Sequence, residues 1–159
     1  MKVSVIMGSK SDKEVVKEAV DILEDFGVEV DWRILSAHRT PDEAHAYATG
    51  MKDNGTEVCI CAAGKAAHLA GVFASGTTIP VIGLPIKSST MDGLDSLLST
   101  VQMPGGIPVA TVAINGGKNA GLLALEILSI KYDEISERLS EYKVNMKNQI
   151  LKDDEELRG

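Results

Sequence analysis

The fold turns on one stretch, VEVDWRILSAHRTPDEAHAYATGMKDNGTEVCICAA, residues 28–63. It begins by alternating Val28, Val30, Trp32 and Ile34 against Glu29, Asp31 and Arg33. That period of two marks a strand with one wetter face, and hence a sheet edge. Thr40-Pro41-Asp42-Glu43 then spells a helix start, with Thr to cap, Pro suited to the first helical position and Glu to complete a capping box. The helix carries Ala44, Tyr47, Ala48 and Met51 and yields at Asn54-Gly55 to Val58–Ala63, an apolar run with too little alternation for an exposed face. Strand, helix and buried strand in that order make a βαβ unit with parallel strands and a right-handed crossover.

The pattern extends in both directions. Upstream, Val3, Val5, Ile6 and Met7 form a short apolar segment ending at Gly8. Ser11 or Asp12 is placed to cap a helix bearing Val15, Val16, Ala19, Val20, Leu23 and Phe26, which Gly27 closes. Downstream, Gly64 is expected to open a small-residue helix through Ala66, Ala67, Leu69, Ala70, Val72 and Phe73, stopping near Gly76. Thr78, Ile79, Val81 and Ile82 predict the next strand, with Pro80 at its beginning, while Gly83, Pro85, Ser88 and Ser89 mark a loop. Leu94, Leu97, Leu98 and Val101 predict another helix before Met103-Pro104-Gly105-Gly106. Val109–Ile114 reads as the last strand, and Asn115-Gly116-Gly117 feeds a helix containing Ala120, Leu122, Leu123, Leu125 and Leu128. Five apolar segments separated by helix-length segments predict an α/β fold, a three-layer αβα sandwich on a five-stranded, mostly parallel sheet. The strand count is too low for an eight-stranded barrel.

The bulk properties agree. A chain of 159 residues that is 44% apolar suits one compact domain, residues 1–159, and is short for two. Sixteen basic and 23 acidic residues give a net charge of -7, which disfavours a nucleic-acid or other polyanion partner. The start MKVSVIMGSKSD has no apolar stretch of signal-peptide length, and no window approaches a membrane-spanning helix, so a cytoplasmic protein is expected. Cys59 and Cys61 stand two apart, on one face of an extended strand, where they build neither a CxxC redox turn nor a zinc site; they read as buried small residues. With no HExxH and His38 and His45 apart, no metal is assigned. Ile135, Leu139, Tyr142, Met146 and Ile150 recur at helical spacing, predicting an amphipathic C-terminal helix over 133–152. Its stripe can pack on its own domain or on a neighbouring subunit.

In an open parallel sheet ligands bind beyond the carboxyl ends of the strands. The polar turns Gly8–Asp12, Ser36–Thr40, Gly64–His68, Gly83–Thr90 and Asn115–Asn119 all follow proposed strands and can converge there. Gly8, Ser9 and Ser11 beside a helix start suit an anionic group, although GSKSD is neither a Walker nor a GxGxxG sequence and a capped turn explains it equally. Ser36-Ala37-His38-Arg39 sets a titratable imidazole beside a fixed cation, able to exchange a proton while an anion is held nearby, although a lone histidine is more often structural. His68 can orient a substrate or make an ordinary hydrogen bond near a helix start, and Lys65 can meet a carboxylate or phosphate or project into solvent. His45 lies within a helix and is assigned a surface or interhelix role. No GxSxG elbow supports a serine hydrolase.

Taken together, Gly8-Ser9-Lys10-Ser11-Asp12, Ser36-Ala37-His38-Arg39-Thr40-Pro41, Ala66-Ala67-His68-Leu69, Asp92-Gly93-Leu94-Asp95-Ser96-Leu97, Val101-Gln102-Met103-Pro104-Gly105-Gly106-Ile107-Pro108 and Lys118-Asn119-Ala120 resemble the N5-carboxyaminoimidazole ribonucleotide mutase family over most of the chain. The resemblance implies a flavodoxin-like fold, a homo-octamer and no organic cofactor. It also implies transfer of a carboxyl group from nitrogen to the imidazole carbon, giving 4-carboxy-5-aminoimidazole ribonucleotide in de novo purine biosynthesis. By the same resemblance His38 is the proton shuttle, Ser9 and Asp12 meet ribose and phosphate, Ser36 shapes their loop and Arg39 binds phosphate. Gly64, Ala66 and Ala67 line a carboxylate or carbon dioxide region beside His68; Lys65 is counted as substrate-binding from its place in that loop, either assisting carboxylate binding or turning outward at a subunit boundary. Two residues depart from the family wording: Lys65 stands where glycine is more common, and Ala70 replaces a frequent proline. Two alternatives accompany this reading. One is direct carboxylation of aminoimidazole ribonucleotide with carbon dioxide; the other, ranked lower, is a nucleotide-binding regulatory domain without chemistry.

Overall fold

The computed structural model describes residues 1–159 and builds five strands and six helices in strict alternation up to the last two. They are β1 (Lys2–Met7), α1 (Lys13–Asp25), β2 (Glu29–Ile34), α2 (Pro41–Gly50), β3 (Val58–Gly64), α3 (Leu69–Gly76), β4 (Val81–Ile86), α4 (Leu94–Val101), β5 (Ala110–Thr111), α5 (Gly117–Ser129) and α6 (Asp133–Arg158). The sheet order is β2-β1-β3-β4-β5 and every pairing is parallel. The alternating strand β2 is the edge that its period of two predicts, while β3 and β4 are interior and buried.

Side chains of β1 separate by period two onto the two faces. Val3, Val5 and Met7 join a core with α1, α5 and the start of α6, whereas Ile6, with Cys59 and Cys61 of β3, faces α2 and α3. Phe73 of α3 is wholly buried in this second core, where such a side chain is worth roughly 2–3 kcal/mol of transfer free energy. The cysteines are free, buried and 3.6 Å apart.

Several local expectations change. Gly83 and Pro85 lie inside β4 and not in a loop. Glycine is needed at 83 because a Cβ there would collide with the Thr100 side chain and approach Val109 Cγ1 to 2.9 Å, so the residue marks close packing under α4, not a turn. Pro85 has no N–H to give the ladder, but its carbonyl accepts from Asn115 N at 2.9 Å. β5 is only Ala110–Thr111, since the segment around it pairs on one side alone. Gly64 ends β3 and α3 starts only at Leu69, leaving Lys65–His68 as a loop.

Two predicted caps are also replaced. Ser9 accepts from Ser11 N at 3.3 Å to cap a short 3₁₀ turn, Lys10–Asp12, ahead of α1. Thr40 Oγ1 turns back to Ser36, accepting from its N–H at 2.9 Å and facing its carbonyl at 3.1 Å, so Pro41 opens α2 without a side-chain cap. Finally, α6 continues past Lys152 to Arg158. Its first turns pack on the chain's own core: Ile135 and Leu139 are buried, Tyr142 meets Phe26 edge-on at 6.3 Å, and Arg138 donates to Asp25 O at 2.6 Å. Met146 and Ile150, the rest of the predicted stripe, are 52% and 66% exposed.

Candidate active site

Four strand ends deliver their loops to one cleft of about 570 Å³. The β1 exit supplies Gly8, Ser9, Ser11 and Asp12; the β2 exit Ser36, Ala37, His38 and Arg39; the β3 exit Gly64, Lys65, Ala66 and His68; and the β4 exit Ile86, Lys87, Ser88 and Ser89. The fifth polar turn does not reach it. Asn115 instead accepts from Lys87 N through Oδ1 at 2.8 Å and so fixes the β4 exit from behind.

At the centre, His38 Nε2 and His68 Nδ1 lie 2.9 Å apart with the rings nearly perpendicular, at 83°. A 2.9 Å N···N contact holds one proton between the two nitrogens, so the tautomer of one ring is tied to that of the other. Two loops thirty residues apart in sequence are thereby joined through their imidazoles.

On the β1–β2 side Arg39 is fixed in three ways. Nη2 donates to Gly8 O at 2.5 Å, Nε to Ser36 Oγ at 3.3 Å, and its backbone N to the same Oγ at 3.2 Å. Ser36 thus positions a guanidinium, a planar donor suited to phosphate. Ser11 Oγ lies 3.0 Å from both Ser9 Oγ and Asp12 Oδ1. Asp12 is 7% exposed. Burial pushes its carboxyl above the ordinary range, against the opposing pull of the Ser11 hydroxyl, a backbone hydrogen bond at Ser9 and the Arg39 charge.

On the β3 side Gly64 admits the β4 exit closely: a Cβ there would stand 3.3 Å from Ile86 O. Lys65 has φ of 57°, a left-handed conformation natural to glycine and uncommon for a residue with a side chain. His68 N then donates to Ala66 O at 2.9 Å, a three-residue turn that folds Ala67 inward. Ala67 is consequently 1% exposed and off the cleft wall, unlike the other expected site residues Ser9, Asp12, Ser36, His38, Arg39, Gly64, Lys65, Ala66 and His68. Ser88 and Ser89 complete the wall without having been singled out as ligands. Their only signal in the sequence is their place just beyond an interior strand. No grouping of His, Cys, Asp and Glu suited to a metal ion is present.

An open, all-parallel αβα sheet of order 2-1-3-4-5 defines a flavodoxin-like α/β fold, and here it carries a histidine pair and a fixed arginine at the carboxyl edge where such sheets bind their ligands. The family described as AIR carboxylase matches residues 2–149, and the chain belongs to that family. It is 62% identical over 146 residues to the N5-carboxyaminoimidazole ribonucleotide mutase of Pyrococcus abyssi, covering 92% of this chain and 84% of that one. It is 57% identical over 150 residues to the mutase of Thermotoga maritima, covering 94% and 88%. Among solved structures, Treponema denticola PurE superposes with a TM-score of 0.90 at 30% identity over 99% of each chain.

Proposed function

We infer that this chain is an isomerase of de novo purine biosynthesis, converting N5-carboxyaminoimidazole ribonucleotide into 4-carboxy-5-aminoimidazole ribonucleotide. The observation that carries the reading is the His38–His68 pair, 2.9 Å apart, on the wall shared with the anchored Arg39 in a chain of this family. Arg39, with Ser9 and Asp12, receives the phosphoribosyl end, and Ser36 holds Arg39 in place. His38 protonates N5 as its bond to the carboxyl carbon breaks, releasing carbon dioxide and the neutral amine. The ring carbon attacks that carbon dioxide, a carbon–carbon bond forms, and the proton on the ring carbon passes to His38. Atoms and charge balance with no oxidant, reductant or second substrate, so the chemistry needs no cofactor. The role of Gly64, Ala66 and the rest of the β3 loop is to wall in the carbon dioxide until it is recaptured. We extend the reading to a cytoplasmic enzyme assembled as a homo-octamer, in which the exposed apolar residues of α6 face other subunits. No helix is long and apolar enough to cross a membrane.

The family's own description favours a second reading, direct carboxylation of aminoimidazole ribonucleotide. The test supplies purified protein with the N5-carboxylated ribonucleotide, or with the uncarboxylated ribonucleotide and bicarbonate, and follows the ring-carboxylated product. Faster turnover of the first is expected. Preference for the second reverses the ranking, and binding without turnover of either leaves a nucleotide-binding domain without chemistry.

A further inference from the structure

The cleft holds three cations, and two of them are engaged. Arg39 is fastened to Gly8 O and Ser36 Oγ, and Lys87 Nζ lies 3.1 Å from Asp92 Oδ1. Lys65 lines the same cleft with no hydrogen bond or ion pair to any residue of the chain. It also sits at φ 57°, where a glycine would be at ease and a lysine is strained. The two other side-chain-bearing residues in that conformation are put to use: Asp92 pairs with Lys87, and Asn115 pins its backbone. A strained backbone at an exposed, unpartnered lysine of the cleft wall points to a ligand group as the missing partner.

We propose that Lys65 is the carboxylate anchor of this cleft, a specificity-determining residue that tells carboxylated from uncarboxylated aminoimidazole ribonucleotide; this rests on the function inferred above. That substrate carries two anions, a phosphate monoester and a carboxylate. The guanidinium is fixed over the β1 and β2 exits, whereas Lys65 belongs to the β3 loop three residues before His68. The anion close to the histidine pair, where bonds to the carboxyl carbon change, is therefore the one Lys65 meets. Substrate and product both carry that charge, and the carbon dioxide between them does not. Lys65 thus adds ground-state affinity at both ends of the reaction and nothing to the neutral intermediate. Its removal raises KM and leaves kcat unchanged or higher.

The experiment compares Lys65→Gly, Lys65→Met and Lys65→Arg with the unaltered protein. Calorimetry measures binding of the ring-carboxylated ribonucleotide and of the uncarboxylated one, and kinetics measure KM and kcat for the N5-carboxylated substrate. Glycine relieves the left-handed backbone, so that variant folds with Tm at or above the parent. Methionine keeps the stem and loses the charge. Gly and Met are expected to weaken the carboxylated ligand about tenfold and the uncarboxylated one hardly at all, the size of a charge-assisted hydrogen bond. Arg retains the discrimination. Equal weakening of both ligands would put Lys65 on the phosphate and overturn the proposal, as would no weakening of either. Turnover by the unaltered protein is read separately: if it binds both ribonucleotides and converts neither, the reaction fails while Lys65's discrimination still stands or falls on the two affinities.

Discussion

Toward the amino ends of the strands, polar groups are paired with one another. Ser4 Oγ lies 2.8 Å from Tyr47 OH and 2.7 Å from Thr56 Oγ1, and Tyr47 OH donates to Asp31 Oδ2 at 2.6 Å. Glu57 accepts from Lys131 at 2.8 Å and from Tyr132 at 2.9 Å. At the carboxyl ends polar side chains face a cleft, some of them partnered, as His38 is with His68, Asp12 with Ser11 and Ser88 with Asp95, while Lys65 has no partner in the chain. The backbone repeats the contrast. Left-handed residues on the amino-end side are glycines, Gly27, Gly55 and Gly106, whereas on the opposite side Lys65, Asp92 and Asn115, which bear side chains, adopt that conformation alongside Gly93. One end of the sheet is built for stability, with strain avoided and hydrogen bonds closed; the other tolerates strain and buried charge because these hold groups ready for a ligand.

The sharpest break in this contrast comes from His38→Asn. Turnover is expected to fall by about 10²-fold or more. Far-ultraviolet circular dichroism and ribonucleotide affinity change little, because the ring is exposed and supports no core packing. Near-normal turnover would remove His38 from proton transfer.

The opposite end is probed by Tyr47→Phe, which strips the hydroxyl from Ser4 and Asp31. Stability measured by urea unfolding drops by about 1–2 kcal/mol while KM is unchanged. Its pH dependence gives a second reading. Burial, reinforced by the Asp31 carboxylate, pushes the Tyr47 phenol up to about 12 from 10.0. The unfolded chain then ionises first, so the stability this phenol confers is whole below pH 10 and fades as pH rises toward 12. Phe should flatten that alkaline decline, and an unchanged decline in the variant would assign it to other groups.

The smallest effect sharpens the carboxyl-end half of the comparison. Asp12 is raised by burial, so the folded state holds its proton more tightly than the unfolded state. Its contribution to stability is present below the ordinary value of 3.8 and is lost as pH climbs through the raised one. Asp12→Asn is expected to leave the protein as stable as the parent or slightly more stable at neutral pH, while weakening ribonucleotide binding. Thermal melts at two pH values with parallel binding isotherms check both halves. A variant that is less stable and binds normally would make Asp12 a structural residue.

How legible these two ends were in the sequence follows from what each depends on. The cleft loops were visible because each follows an apolar segment, and SAHR, GSKSD and AAH carry distinctive polar residues there. Ser88 and Ser89 were legible as loop residues but not as wall residues, since Gly83 and Pro85 made the apparent loop begin four residues early. Both punctuate a chain locally, but here the glycine answers to Thr100 and Val109, residues of other elements. Ala67 failed for a similar reason: a three-residue turn decides which way its methyl points, and no composition signals that turn. The Ser4–Tyr47–Asp31–Thr56 network was invisible, because its members are spread from residue 4 to residue 56 and meet only when β1, β2 and α2 are packed.

By itself the sequence determined the alternation of strands and helices, the exposed edge at β2, the buried β3, and the identity of the residues able to carry chemistry. Those depend on hydrophobic period and on side-chain type, which are local. Only the tertiary structure decided that His38 and His68 meet at hydrogen-bond distance, that Arg39 is pinned to Gly8, and that Lys65 is held in a glycine's conformation with no partner. These are distances and dihedral angles between loops separated by whole βα units. They are set by sheet register and helix packing, to which no single stretch of chain has access.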